Sequence, residues 1–177
     1  MHRLKTILVI EDDPNDQLFI VEAFRSIGAE NPIHVVRSAS EAVAYCTGKG
    51  IYANRAIYAY PTFGTTDLKM AGGNGFAVLE HLKENPQNAA ILMIVLSASD
   101  DPDDINRSYL LGAKSYHHKP VSFLELKHQI EALYRYWMTC KVPVADEAGK
   151  LIDSHTQGKL SGQIKPHRPA KQKRKKR

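Results

Sequence analysis

The sequence is short of the features that mark several large classes of protein. Only two cysteines occur, Cys46 and Cys140, too few and too far apart for a disulfide framework or a zinc-ligand spacing. The longest apolar run is Ala89–Leu96 (AAILMIVL), far short of the roughly 18 residues of a membrane span. Arg3 and Lys5 precede Thr6–Ile10, but acids follow at once and no small-residue cleavage site appears, so a secretory signal is not expected. Nothing repeats at a fixed period. These absences leave a reduced, cytoplasmic protein with one domain as the expectation.

A surplus of negative charge is also missing, but only on average. The formal net charge is +5 and the pI about 9.1. Residues 1–140 carry 13 Lys and Arg against 16 Asp and Glu, whereas residues 141–177 carry 11 against 3. The basic character therefore belongs to a C-terminal appendage, which argues against reading the whole chain as a nucleic-acid binder. The expected organisation is one domain over residues 1–140 and a basic tail over 141–177. Within that tail, Lys165–Arg177 has no apolar residue except Ala170, a composition that cannot build a core.

What the first 140 residues do contain is alternation. Thr6–Ile10 is a continuous β-branched run, as in a strand buried on both faces. Leu18, Val21, Phe24 and Ile27 follow at helical spacing, with Gly28 as a stop. Ile33–Arg37 reads as a second strand, and Ser38 with Glu41 as a capping box opening a helix that ends at Gly48 and Gly50. A loop rich in tyrosine (Ile51–Pro61) leads to a third strand at Thr62–Leu68, diluted by Gly64 and three threonines. Phe76, Leu79 and Leu82 mark a helix closed by Asn85-Pro86.

Ile91–Leu96 is the plainest strand. Asp101-Pro102-Asp103-Asp104 supplies an N-cap, a proline and first-turn acids, and Gly112 ends that helix. Ser115–Lys119 reads as a fifth strand, and Ser122 with Glu125 as a second capping box. Leu126, Ile130, Leu133 and Trp137 line the last helix. Five strands alternating with five helices imply a parallel sheet covered on both faces, a three-layer, doubly wound α/β fold. Ligands of such sheets lie at the carboxyl ends of the strands.

Those ends carry Glu11-Asp12-Asp13, Asp67, Ser97 and Lys119-Pro120. Clustered carboxylates repel, and a hard divalent cation such as Mg2+ relieves them. A metal-bridged carboxylate facing a lysine and a hydroxyl has the equipment to accept a phosphoryl group. Taken singly, the acids also suit a helix N-terminus, Ser97 a strand-end hydrogen bond, Lys119 a surface position and Tyr116 a core aromatic. His117 and His118 are adjacent on a strand and point to opposite faces, so packing or surface roles are expected for them.

Four segments, ILVIEDDPND (Ile7–Asp16), TDLKMAGGNGFAVLEHLK (Thr66–Lys83), VLSASDDPDD (Val95–Asp104) and LGAKSYHHKPVSFLEL (Leu111–Leu126), resemble the response-regulator receiver domain. The likeness covers roughly residues 4–140. Within that family the chain looks most like the stand-alone receivers associated with bacterial phytochromes, which share the long loop before the third strand and an extended final helix. The resemblance implies a flavodoxin-like fold. It implies Asp67 as phosphoacceptor, and Mg2+ held by Asp12 directly, by Glu11 through water, by Asp67 and by the backbone carbonyl of Lys69. It further implies Ser97 as the switch hydroxyl, Lys119 as the phosphoryl contact, Tyr116 as the switch aromatic and a cis Lys119–Pro120 bond. Ala71 and Asn74 depart from the family's usual proline and aspartate. Lys69 and Ser99 fall at positions that tune phosphoryl lifetime in this family.

The function implied is that of a single-domain response regulator in a phosphorelay. A sensor histidine kinase, phytochrome-like or other, or a phosphotransfer protein would donate the phosphoryl group. No external substrate is turned over, so the chain is not an enzyme in the usual sense. A tail of 37 residues without patterning is too short for an output domain, so output would pass through protein contacts. The surplus aromatics Tyr134, Tyr136, Trp137 and Met138 fit either dimerisation or the core. Two alternatives stay open: a receiver-shaped scaffold that no longer switches, and a DNA-associated regulator acting through its basic tail. A dehalogenase-like phosphatase is excluded because Lys69 stands where its second aspartate is required.

Overall fold

A strand buried on both faces must present apolar side chains to both, and Thr6–Ile10 does so. In the computed structural model, which describes residues 5–71, 74–85 and 90–142, this segment is β1 and every residue of it is buried. Ile7 and Val9 face one apolar layer, Leu8 and Ile10 the other. The elements then follow in the order α1 (Pro14–Ser26), β2 (Ile33–Val36), α2 (Ala39–Thr47), a 3-10 turn (Gly50–Ala53), β3 (Pro61–Thr66), α3 (Phe76–Glu84), β4 (Leu92–Ser97), α4 (Pro102–Leu110), β5 (Ser115–His118) and α5 (Phe123–Thr139). The strands form one parallel sheet in the order β2-β1-β3-β4-β5.

Two helix layers cover that sheet, as the alternating pattern requires. On one face α1 and α5 bury Ile20, Phe24, Leu126, Ile130 and Leu133 against Ile7, Val9, Phe63, Ile94 and Leu96. On the other, α2 and α3 bury Ala42, Tyr45, Phe76 and Leu79 against Leu8, Ile10, Met93 and Val95. By contrast, α4 buries only Ser108, and Tyr109 and Leu110 stay exposed. On α5 the aromatic surplus divides: Tyr134 and Trp137 pack on the core while Tyr136 is exposed.

Local signals set the boundaries. Asp13 caps α1 by accepting the amides of Asn15 and Asp16 at 2.8 and 3.1 Å. Asp101 caps α4, with Pro102 in its first turn. Gly28, Gly48 and Gly112 take positive φ just after their helices. The Ser38 hydroxyl accepts Glu41 N at 3.1 Å, but the Glu41 carboxylate reaches Arg37 N at 2.7 Å, one residue beyond a reciprocal box.

Several expectations need correction. Ser122 caps α5 through its backbone alone, its carbonyl accepting Leu126 N at 3.0 Å with no side-chain bond. The third strand spans Pro61–Thr66, so Asp67 and Leu68 lie just past its end. Lys119 likewise falls one residue beyond β5. The Lys119–Pro120 bond is trans, as no described peptide is cis. Trans is the ordinary preference of X–Pro bonds, and it suffices here to bring the lysine inward. Pro86 and the basic tail from residue 143 lie outside the described residues.

Candidate functional site

Parallel pairing brings the strand ends level, and the site grows from that edge. Ile10 O accepts Asp67 N at 3.1 Å, so β1 delivers Glu11 beside the residue that follows β3. Ser97 O accepts Lys119 N at 2.8 Å, coupling the ends of β4 and β5 in the same way. Glu11, Asp67 and Ser97 are buried, and the Lys119 side chain is only 9% exposed.

Asp67 is gripped at both oxygens. The Ser97 hydroxyl donates to Oδ1 at 2.8 Å, as does Lys69 N at 3.1 Å. The Lys119 ammonium donates to Oδ2 at 2.9 Å. Behind Asp67 the backbone is closely backed, since a Cβ on Gly75 would meet the Asp67 carbonyl oxygen at 1.9 Å. Gly75 N also donates to Leu68 O at 3.0 Å. Only a glycine lets the start of α3 approach the chain beneath Asp67 so nearly. Asn74, the departure from the usual aspartate, caps the same turn by accepting Phe76 N at 2.8 Å.

Lys119 spends all three of its donors on carboxylates: Glu11 at 2.7 Å, Asp16 at 2.8 Å and Asp67 at 2.9 Å. Burial disfavours its charge, yet the bonds from Asp16 and Glu11 outweigh that and hold its pKa above the usual lysine value. The Glu11 pKa is raised as well, here against the charged form: burial raises it despite Lys119, and Asp67 adds to the rise. One ammonium does not balance this many acids.

Asp12 lies half-buried at the rim, where its Oδ2 accepts the amide of Ala71. The cage expected from Glu11, Asp12 and Asp67 is therefore not closed. Among the described residues no three His, Cys, Asp or Glu are arranged to hold a metal ion. The reason is visible in the contacts: Lys119 already lies against Glu11 and Asp67, while Asp12 is turned to the loop after β3. The donor set still fits a hard cation, being rich in carboxylate oxygen and under-neutralised. For Lys69 the observed tie to the site is its amide; its ammonium is exposed, 4.0 Å from Asp104.

Tyr116 is partly buried against the α2–α3 layer, and its hydroxyl donates to Ser99 O at 2.7 Å. Its amide donates to the Tyr109 hydroxyl at 3.2 Å, covering one donor on the free edge of β5. Ser99 Oγ donates to Asp104 at 2.6 Å. His118 Nδ1 lies 2.8 Å from Asp100 at the surface, while His117 is half-buried and burial lowers its pKa. The two imidazoles share no partner, as their places on a strand require. Sequence reading missed Asp16 and Gly75. Asp16 lies in the first turn of α1, four residues after Asp12, and that closeness in sequence was the available signal.

A buried aspartate held between a hydroxyl and an ammonium at the carboxyl edge of a doubly wound sheet defines a phosphoacceptor-type switch domain. The family description of the response regulator receiver domain matches residues 7–131, and the chain belongs to that family. The probable methanogenesis regulatory protein FilR2 of Methanothrix harundinacea is 31% identical over 135 residues, covering 75% of this chain and 83% of that protein. Response regulator Rcp1 of Synechocystis is 27% identical over 142 residues, covering 80% of this chain and 95% of Rcp1. The crystal structure of the Mn2+-bound form of Rcp1 superposes with a TM-score of 0.72 at 26% identity, covering 79% of this chain and 99% of Rcp1. The phosphorylated cyanobacterial phytochrome response regulator RcpA gives a TM-score of 0.74 at 30% identity, covering 80% of this chain and 99% of RcpA. The chain is thus a response regulator receiver acting in phosphorelay signalling, similar to stand-alone phytochrome response regulators.

Proposed function

We propose that Asp67 accepts a phosphoryl group from the phosphohistidine of a sensor histidine kinase or phosphotransfer protein. The Asp67 carboxylate attacks phosphorus as the donor's P–N bond breaks, and the electron pair leaves with the imidazole. Mg2+, held by Asp12, Asp67, the Lys69 carbonyl and, through water, Glu11, would supply charge that neutralises the transferring oxygens. Lys119 contacts the phosphoryl group from the Oδ2 side, and Ser97 donates to it from the Oδ1 side. The observation that carries this reading is the grip of Ser97 and Lys119 on the two oxygens of one buried carboxylate.

The tyrosine hydroxyl on Ser99 O supports Tyr116 as the switch aromatic. When the phosphoryl oxygens take over the Ser97 hydroxyl, the Ser97–Ser99 segment shifts and Tyr116 shifts with it. The surface formed by β4, α4 and β5 is then remodelled. The chain promotes its own phosphorylation and hydrolysis and turns over no further substrate. No described helix is long and apolar enough to cross a membrane, and we place the protein in the cytoplasm. Residues 1–140 form the receiver in this reading, and 141–177 a basic extension. A phytochrome-like kinase and a homodimer through the exposed part of α5 belong to the same proposal.

Intact-mass spectrometry after incubation with Mg2+ and a small phosphodonor tests it. Wild type gains one phosphoryl group, and Asp67→Asn gains none. Equal labelling of both proteins, or of neither, overturns the assignment. For the extension, truncation after Pro143 leaves phosphorylation intact, and DNA retention measured against salt shows whether the tail binds polyanions.

A further inference from the structure

The acid that sequence reading passed over is in direct contact with the switch lysine. Asp16 sits in the first turn of α1 and accepts from Lys119 Nζ at 2.8 Å, between the 2.7 and 2.9 Å of the lysine's bonds to Glu11 and Asp67. Its side chain is about four times as exposed as that of Lys119, 36% against 9%. It also lines a cavity of about 260 Å³ with Phe19, Lys119, Pro120, Val121 and Phe123. Lys119 has three donors and three carboxylate partners, so a phosphoryl oxygen gains a bond from it only by displacing one of them. Resting on the phosphoacceptor reading of Asp67, we infer that Asp16 is a positioning residue that holds Lys119 back, competing with the phosphoryl group for the ammonium.

The charge balance gives the sign. The site counts Glu11, Asp12, Asp16 and Asp67 against Lys119, and a bound divalent cation would offset only part of the excess. A phosphoryl group adds further negative charge, and Asp16 is the acid closest to solvent among the three on Lys119. Removing its charge frees one donor and lessens repulsion of the incoming dianion. A role confined to supporting α1 predicts the opposite, since loosening the helix that follows Glu11 and Asp12 weakens the site.

Beryllofluoride, a phosphoryl mimic, provides the measurement. It is titrated at saturating Mg2+ and followed by backbone amide chemical shifts in wild type, Asp16→Asn and Asp13→Asn. Asp13→Asn removes the same charge from the same helix start, retains a good N-cap and leaves Lys119 untouched. Asp16→Asn is expected to bind about fivefold tighter, the scale of a partly exposed ion pair, and Asp13→Asn within about twofold of wild type. Unchanged or weaker binding by Asp16→Asn overturns the inference. Equal tightening by both variants also overturns it, because the effect is then the general field of the helix start. If wild type itself shows no response to beryllofluoride, it is the phosphoacceptor reading that fails.

Discussion

Two of the cations drawn into this molecule, Lys119 and Arg55, make contacts of opposite kinds. Lys119 lies among three carboxylates at the carboxyl edge of the sheet. Arg55 lies in the loop before β3, where it donates to the carbonyls of Cys46 and Tyr58 at 2.9 and 3.2 Å. Its guanidinium is 5.9 Å from the Tyr45 ring centroid and 5.6 Å from that of Tyr60. Around it Tyr45, Tyr52, Tyr58 and His34 meet ring to ring at 5.1–6.1 Å. Neutral dipoles and ring faces hold a cation without competing for it, so the arginine acts as a fixed brace. Carboxylates hold the lysine tightly, and in the proposed function Glu11 and Asp67 would also serve a metal ion, so those bonds would be exchangeable. The contacts described for Arg55 are to neutral groups and those of Lys119 to charged ones, and in the proposed function the charged ones are those that would exchange.

The comparison breaks most visibly at the lysine. Lys119→Met leaves Glu11, Asp16 and Asp67 facing one another, and we expect a loss of about 3 kcal/mol in chelator. Mg2+ restores part of it, so urea denaturation with and without Mg2+ separates the variant from wild type. A loss that Mg2+ does not touch would mean the carboxylates are not the cause. Arg55→Ala is expected to cost about 1–2 kcal/mol from lost hydrogen bonds and ring contacts. Phosphoryl uptake by Asp67 stays unchanged in that variant. Arg55→Lys fails to rescue it, because an ammonium cannot reproduce the planar fork. Slowed phosphorylation in Arg55→Ala would show that the two regions are coupled.

The smallest effect concerns pH. Burial among the tyrosines lowers the His34 pKa, so the folded state resists its protonation. Below about pH 6.5 the unfolded chain binds the extra proton, and stability is lost as pH falls through that region. His34→Phe flattens that slope while leaving stability at pH 8 close to wild type. Thermal melts at pH 8 and pH 5.5 check it, and an undiminished slope would point to the other lowered histidines, His81 and His117.

The legibility of the sequence followed burial. β1 and β4 are apolar apart from Thr6 and Ser97 and buried throughout, and their boundaries in sequence and structure agree to within a residue. Parallel strands end level, so Glu11, Asp67, Ser97 and Lys119 were visible as neighbours before any contact was known. Asp16 escaped because it sits on a helix, and a rule about strand ends does not reach it. Gly75 escaped because the need for a missing Cβ arises only when α3 crosses behind Asp67. The Arg55 nest escaped for a related reason: Tyr45 comes from α2, Tyr58 and Tyr60 from the loop, and His34 from β2, so no sequence window contains it. Ser122 and Glu125 have the spelling of a capping box without its side-chain bond.

The order in which these charges enter the chain has a consequence for folding. Glu11 and its only ammonium partner among the described residues are 108 residues apart, and Lys119 directly follows the final strand, at the edge of the sheet. Until β5 docks, Glu11, Asp16 and Asp67 form a nest of like charge that opposes closing the sheet around it. Loop-closure entropy makes such long-range pairing slow on its own account, and here electrostatics adds to the barrier. Divalent cations present during refolding should therefore speed the late step, by standing in for a lysine that has not yet arrived.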